Sequence, residues 1–447
     1  MFTYWRKFPG LSRLTLFICA TAGAILLSRL LAPQSTVPVG QASDYFPETA
    51  QRVKNSAQGV IEGLQEKLRA DPEDWQAYSQ LGLAYLQQAR ETGDPTYYQK
   101  AEDALQAALD RQPDDYVSLG GMGMLALARH QFGEALDWGG RARQRKPDSA
   151  FAFGVIADAQ VELGLVEDAA ISLQTMVDLH PDLSAYSRIS YLRELHGDME
   201  GALLMMQWAV DAGSPNQENT AWTRVQLGNL YFNLGDLEKA EEQYELTLGF
   251  YPGYVYASAG LGRVAAARGN FEAAVEYLEK ASQVMPIPEF IISLEEIYEK
   301  NGNIEAAKEK TELLGAIQQL YEANGVDMDL EIALFNADRG IDLQRTLVNT
   351  RQAYTRRPSV YGADVLAWVL YQTGHLEEAR AYSYQALRLG SRQGLFLFHA
   401  GMIEYRLGSN LEEATEYLRK ALEANPYFSV RYAQEARAIL DEIAKKD

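Results

Sequence analysis

Residues 222–252 read WTRVQLGNLYFNLGDLEKAEEQYELTLGFYP, and residues 256–286 read YASAGLGRVAAARGNFEAAVEYLEKASQVMP. Overlaid at a step of 34, they place Leu227-Gly228 on Leu261-Gly262, Gly235-Asp236 on Gly269-Asn270, Ala240 on Ala274 and Pro252 on Pro286. Each shared position has a physical reason. A glycine after an apolar residue lets a second helix approach where no side chain fits, and the alanine does the same from the other helix. Gly-Asp or Gly-Asn leaves one helix through a positive φ and caps the next. Proline closes the unit, since it suits the first turn of a following helix but not the interior of the preceding one. The stretch is therefore a pair of helical hairpins built to stack.

The same columns extend in both directions. Prolines recur at Pro113, Pro147 and Pro181, alanines at Ala135, Ala169, Ala202 and Ala307, close-packing glycines at Gly82, Gly123 and Gly401, and turn glycines at Gly164, Gly197, Gly302, Gly374 and Gly408. Self-similarity at this period marks units that bury their faces against neighbours of the same kind. The pattern resembles the tetratricopeptide repeat over about residues 75–427, with Leu227, Gly228, Tyr231, Ala240, Tyr244 and Pro252 in that family's columns. The resemblance implies an all-α fold, a right-handed α-solenoid of about ten hairpins, acting as a noncatalytic protein-binding scaffold. The segments LEIALFNADRGID (330–342) and RPSVYGADVLAWVLYQTGHLEEA (357–379) also resemble the ends of certain bacterial tetratricopeptide proteins, some of them membrane-anchored.

Departures from the pattern set the expected organisation. About seven extra residues around Glu91–Tyr98 predict a projecting loop between the helices of the first unit. Glu295 and Leu334 stand where a small residue is expected, and the register breaks over 314–326, predicting a bend or an extra helix. The reading is thus a leading helix with about seven repeats over 51–313 and about three repeats with a closing helix over 327–447.

Ahead of the array, residues 14–28 are uncharged, and an apolar stretch from Leu11 to Ala32 is long enough for one crossing if Arg13 and Arg29 reach the headgroups. Residues 1–32 therefore read as a single-pass membrane anchor and 33–50 as a linker. Arg6, Lys7 and Arg13 precede the apolar core while only Arg29 follows it, which places the body on the extracytoplasmic side of the cell membrane. The alternative is a secretory signal cleaved near Ala42, releasing a secreted or periplasmic peptide-binding protein.

The net charge is −20, and because residues 1–32 hold four cations and no acid, the remainder carries −24. Such a surface repels nucleic acid and anionic lipid. The single cysteine, Cys19, excludes intrachain disulfides and a Cys-based metal site. The five histidines fall in different units without the spacing of a helical metal site, so they read as polar turn residues, and neither metal nor cofactor is expected. No phosphate loop or nucleophile elbow is present in the sequence.

Surface is what remains. In the family, the first helix of each hairpin lines the concave wall, which places Phe151, Tyr191, Trp222, Phe232, Tyr256, Phe335, Tyr361, Trp368, Tyr371, Phe398, Met402 and Tyr405 there, with Asn229 and Arg263 among the polar positions. Asp158, Glu194, Glu296, Asp338 and Asp364 make the wall net acidic. An aromatic strip of this kind suits a protein partner or an extended peptide. The family's carboxylate clamp is not expected, because Val225 and Ala259 stand where its lysines would be.

Overall fold

The computed structural model describes residues 57–445. Within them the chain forms 22 α-helices and no strand. A leading helix, α1 (Ala57–Ala70), is followed by ten hairpins: α2 (Trp75–Thr92) with α3 (Thr96–Arg111), α4 (Tyr116–Ala128) with α5 (Phe132–Arg145), α6 (Ala150–Glu162) with α7 (Val166–Leu179), and α8 (Leu183–Leu195) with α9 (Met199–Ala212). Next come α10 (Glu218–Asn233) with α11 (Leu237–Phe250), α12 (Val255–Ala267) with α13 (Phe271–Val284), and α14 (Pro288–Lys300) with α15 (Ile304–Ala323). The last three are α16 (Asp329–Arg339) with α17 (Leu343–Arg356), α18 (Val360–Gln372) with α19 (Leu376–Leu387), and α20 (Gly394–Leu407) with α21 (Leu411–Ala424), closed by α22 (Ala433–Ile443). The expected anchor and linker lie outside the described residues. Among the described residues, no helix is long and apolar enough to cross a membrane.

The repeat columns act as their chemistry requires. A Cβ on Gly228 would lie 2.5 Å from the Tyr244 ring, and one on Gly401 would lie 2.8 Å from Leu418, so these positions admit no larger residue without displacing the facing helix. Gly235 turns at φ 74°, and Asp236 then caps α11 by accepting from the Lys239 amide. First helices pack on the first helix of the next unit in most of the array, whereas second helices lean on first helices rather than on one another, which makes the first helices the inner layer.

The loop of the first unit does not project. The extra residues lengthen α2 and α3, leaving only 93–95 between them, and Gly93 is seated against Met285 and Ile287. Residues 314–323 continue α15 as a helix of 20 residues, and 324–328 connect it to α16. Long side chains join the seventh unit to the eighth: Ile291, Leu314, Ile317 and Phe335 form one cluster, and Glu295 pairs with Arg339. A carboxylate in a small-residue column is thereby accommodated by a cation from the next unit.

Gly93 belongs to a seam that the repeat pattern does not announce. Turn after turn meets a loop 193 to 197 residues further along the chain: Arg129 with the Asn324 carbonyl, His130 with the Asp327 carbonyl at 2.7 Å, Glu162 with Arg357 at 2.6 Å, and the Phe232 carbonyl with Asn425 at 2.9 Å. The solenoid therefore returns on itself after between five and six units, and successive turns touch. His130 takes φ 59° at the place that a turn glycine holds in other units, and its ring is fixed across the seam.

Candidate functional site

The first helices divide the predicted wall residues into two sets. In the middle of the array the side chains reach solvent: Tyr191 is 42% exposed, and Phe151, Trp222 and Tyr256 are half-buried. Tyr256 packs edge-on against Phe290 and beside Tyr254, whose hydroxyl donates to Glu218 at 2.7 Å. Glu218 also pairs with Arg90, tying the first unit to the fifth. Phe151, with Val117, Leu83 and Lys146, lines a cleft of about 340 Å³ at the start of α4 and α6.

One polar constellation in this region joins Tyr244, Asn229 and Arg263 by hydrogen bonds, with Glu289 as a charged neighbour. Tyr244 donates to Asn229 Oδ1 at 2.8 Å, Arg263 donates to the same oxygen and to the Tyr244 hydroxyl at 3.3 Å, and the guanidinium lies 5.1 Å from the Phe232 ring centre. Asn229 and Arg263, one unit apart, thus meet, while Phe232 is buried beside them.

In the last units the same columns turn inward. Trp368 is 2% exposed and Phe398 is fully buried, with Phe335 and Met402 almost as enclosed. Trp368 stacks on Tyr371 at 4.6 Å and on His399 at 4.1 Å, donates its indole N–H to Asp338 at 2.8 Å, and meets Tyr432 edge-on. Tyr432, from the segment before α22, donates to the same Asp338 oxygen at 2.6 Å and stacks on Phe398. These aromatics are core. Tyr361, Tyr371 and Tyr405 remain half-buried at its margin. Tyr361 lies 5.0 Å from Arg357, which bridges Glu162 and Glu331.

His399 corrects the expectation for the histidines. It is fully buried, with Nδ1 3.0 Å from the equally buried Asp364 carboxylate, and its Nε2 has no hydrogen-bond partner. An imidazole oriented by a carboxylate would suit a nucleophile, yet no hydroxyl or thiol meets Nε2. Among the described residues no group of three metal-ligating side chains exists. Beside this core, burial pushes the Glu296 carboxyl up to about 7, with Arg339 and Arg431 pulling it down and Asp338 pushing further up.

The tetratricopeptide repeat family profile matches residues 97–150, 225–283 and 365–427. The chain carries tetratricopeptide repeats. Among curated proteins these repeats are similar to the protein CTR9 homolog of Arabidopsis thaliana, 26% identical over 198 residues, and to cellulose synthase 1 operon protein C of Komagataeibacter xylinus, 25% identical over 223 residues. The alignments take in 42% and 50% of this chain but only 18% and 14% of those relatives' lengths. Among solved structures, a tetratricopeptide repeat protein from Parabacteroides merdae aligns with a TM-score of 0.40 at 15% identity, covering 58% of this chain and 93% of that one. Tetratricopeptide repeats generally mediate protein–protein interactions, and their fold is typically a noncatalytic scaffold.

Two features of the site escape sequence reasoning. The burial of the late aromatics depends on Tyr432 and Phe428, which lie outside any repeat column. The seam depends on contacts between loops that no local pattern relates.

Proposed function

We propose that this chain is a noncatalytic scaffold that takes an extended peptide or a partner helix along the inner wall of its middle units. The observation that carries this reading is the row of solvent-reaching aromatics, Phe151, Tyr191, Trp222 and Tyr256, on first helices from the third unit to the sixth. Rigid aromatic side chains bury large area for little lost entropy. Arg263, held by Asn229 and Tyr244 with Glu289 as a charged neighbour, supplies a donor for a peptide carbonyl or acid. The buried set around Trp368 supports the wall and stays outside the contact.

Residues 1–32 tether the array to the cell membrane, with the body on the extracytoplasmic side, so that the wall serves an envelope assembly. The uncharged run 14–28 and the excess of cations ahead of it motivate this part. Two experiments test the proposal. Affinity capture with the full-length chain from solubilised membranes recovers a partner that is lost on Trp222→Ala or Tyr256→Ala; retention of the same partner in both variants rejects the wall. A protease added to intact cells, after selective permeabilisation of any outer membrane, removes an epitope at Asp447. Protection until the inner membrane is lysed rejects the topology.

A further inference from the structure

A second surface lies on the opposite side of the array, where the second helices face outward. The sixth residue of each second helix forms a column there. It is charged at Asp137, Glu242, Glu276, Glu309 and Glu416, alanine at Ala101 and Ala381, and a large apolar residue at Val348 and at Ile171 and Leu204, the last two on the successive second helices α7 and α9. Ile171 is 66% exposed and Leu204 50%. Four residues on, the column continues with Trp208 at 38% and Leu246 at 47%. Large apolar side chains thus stand exposed at matching positions of two successive second helices, and soluble surfaces keep such apolar area small unless it is used.

The surroundings of the patch are mostly acidic, with Arg193 paired to Asp198 beside Gly201 at the start of α9 and Arg224 facing Asp211 at its end. Glu167, Asp168, Asp178, Glu200 and Asp211 are exposed on α7 and α9, and these helices contain no Lys or Arg. In the sequence no Lys or Arg occurs between Lys146 and Arg188, or between Arg193 and Arg224. We infer that this outer face of the third to fifth units docks an amphipathic helix whose apolar stripe is flanked by Lys and Arg. Charge complementarity selects this occupant. A second copy of the chain would set acid against acid around the apolar contact, whereas a cationic helix fills the furrow between splayed second helices and neutralises its rim. The surface is separate from the inner wall, so the two sites load independently.

The test uses the full-length chain and a fluorescein-labelled synthetic helix carrying Leu at i, i+3, i+4 and i+7 with Lys on both flanks. The same peptide with Glu in place of Lys serves as the control. Saturable binding of the Lys peptide alone is expected, weakened roughly tenfold or more at high salt and roughly tenfold or more by Ile171→Asp with Leu204→Asp, but unchanged by Trp222→Ala. Because both aspartates replace exposed side chains, melting curves should show the variant folded. Absence of saturable binding overturns the inference. So does binding that survives the aspartate pair, since attraction is then only diffuse charge. A wild-type dimer in sedimentation that Leu204→Asp dissociates would assign the patch to a second copy and overturn it as well.

Discussion

Trp222 and Trp368 both lie on inner-layer helices and within the predicted groove strip, yet one is half-buried on a wall and the other is core. The difference comes from what arrives beside them. Around Trp368 the chain brings Tyr371 and His399 as stacking partners and then Tyr432 and Phe428 from the closing segment, and Asp338 satisfies both the indole and the phenol. Late residues also reach the middle units, where Val360, Ala363 and Phe396 pack with Leu192 and Leu195, but they leave Tyr191 42% exposed and Trp222 half-buried. A repeat column fixes the direction in which a side chain points; the presence or absence of a later element decides whether that direction leads to solvent. The late units therefore act as a plug that holds the end of the array, and the middle units carry the accessible surface.

The largest expected effect separates the two regions directly. Trp368→Ala leaves a cavity and removes one of the two hydrogen bonds to the Asp338 oxygen, costing about 3–5 kcal/mol, whereas Tyr191→Ala, on the wall, shifts stability by no more than about 0.5 kcal/mol. Calorimetric melting of the two variants checks this, and comparable losses would break the distinction. A second effect follows pH. Since burial raises Glu296 from 4.5 to about 7 in the folded chain, its neutral form is favoured by folding; stability is fully kept below about 4.5 and lost as pH rises through 7. Glu296→Gln should therefore gain roughly 1–3 kcal/mol at pH 8 and nothing at pH 4, and a gain independent of pH would contradict the assignment. Smaller still, Tyr432→Phe removes one hydrogen bond while keeping the stack on Phe398, for a loss of about 1 kcal/mol in urea unfolding. A loss as great as that of Trp368→Ala would mean the plug depends on its polar link rather than on its aromatic packing.

Much of this architecture is legible in the sequence because it is local. Gly228 against Tyr244 and Gly235 before Asp236 are decided within one hairpin, so the 34-residue period reveals both the helices and their spacing. The spacing of Asn229 and Arg263, one unit apart, is legible for the same reason. What escapes is long-range. His130 reads as a polar turn residue, and only Asp327, 197 residues later, shows why its backbone holds φ 59°. His399 likewise reads as a scattered histidine until Asp364 and Trp368 enclose it. The loop at 93–95 reads as a projection because Met285 and Ile287, which receive it, belong to the sixth and seventh units. In each case the deciding partner sits on the next turn of the solenoid or in another unit.

The central claim, that equivalent inner-layer positions are wall in the middle units and core in the last, is tested most directly by thiol labelling. With Cys19 replaced by Ser, Tyr191→Cys and Met402→Cys each give one reporter at a predicted groove position, the first 42% exposed and the second 5%. Maleimide is expected to modify the cysteine at 191 at nearly the rate of a free thiol and the one at 402 at least about a hundredfold more slowly, since reaction there must await local opening. Equal rates at the two positions would contradict the account.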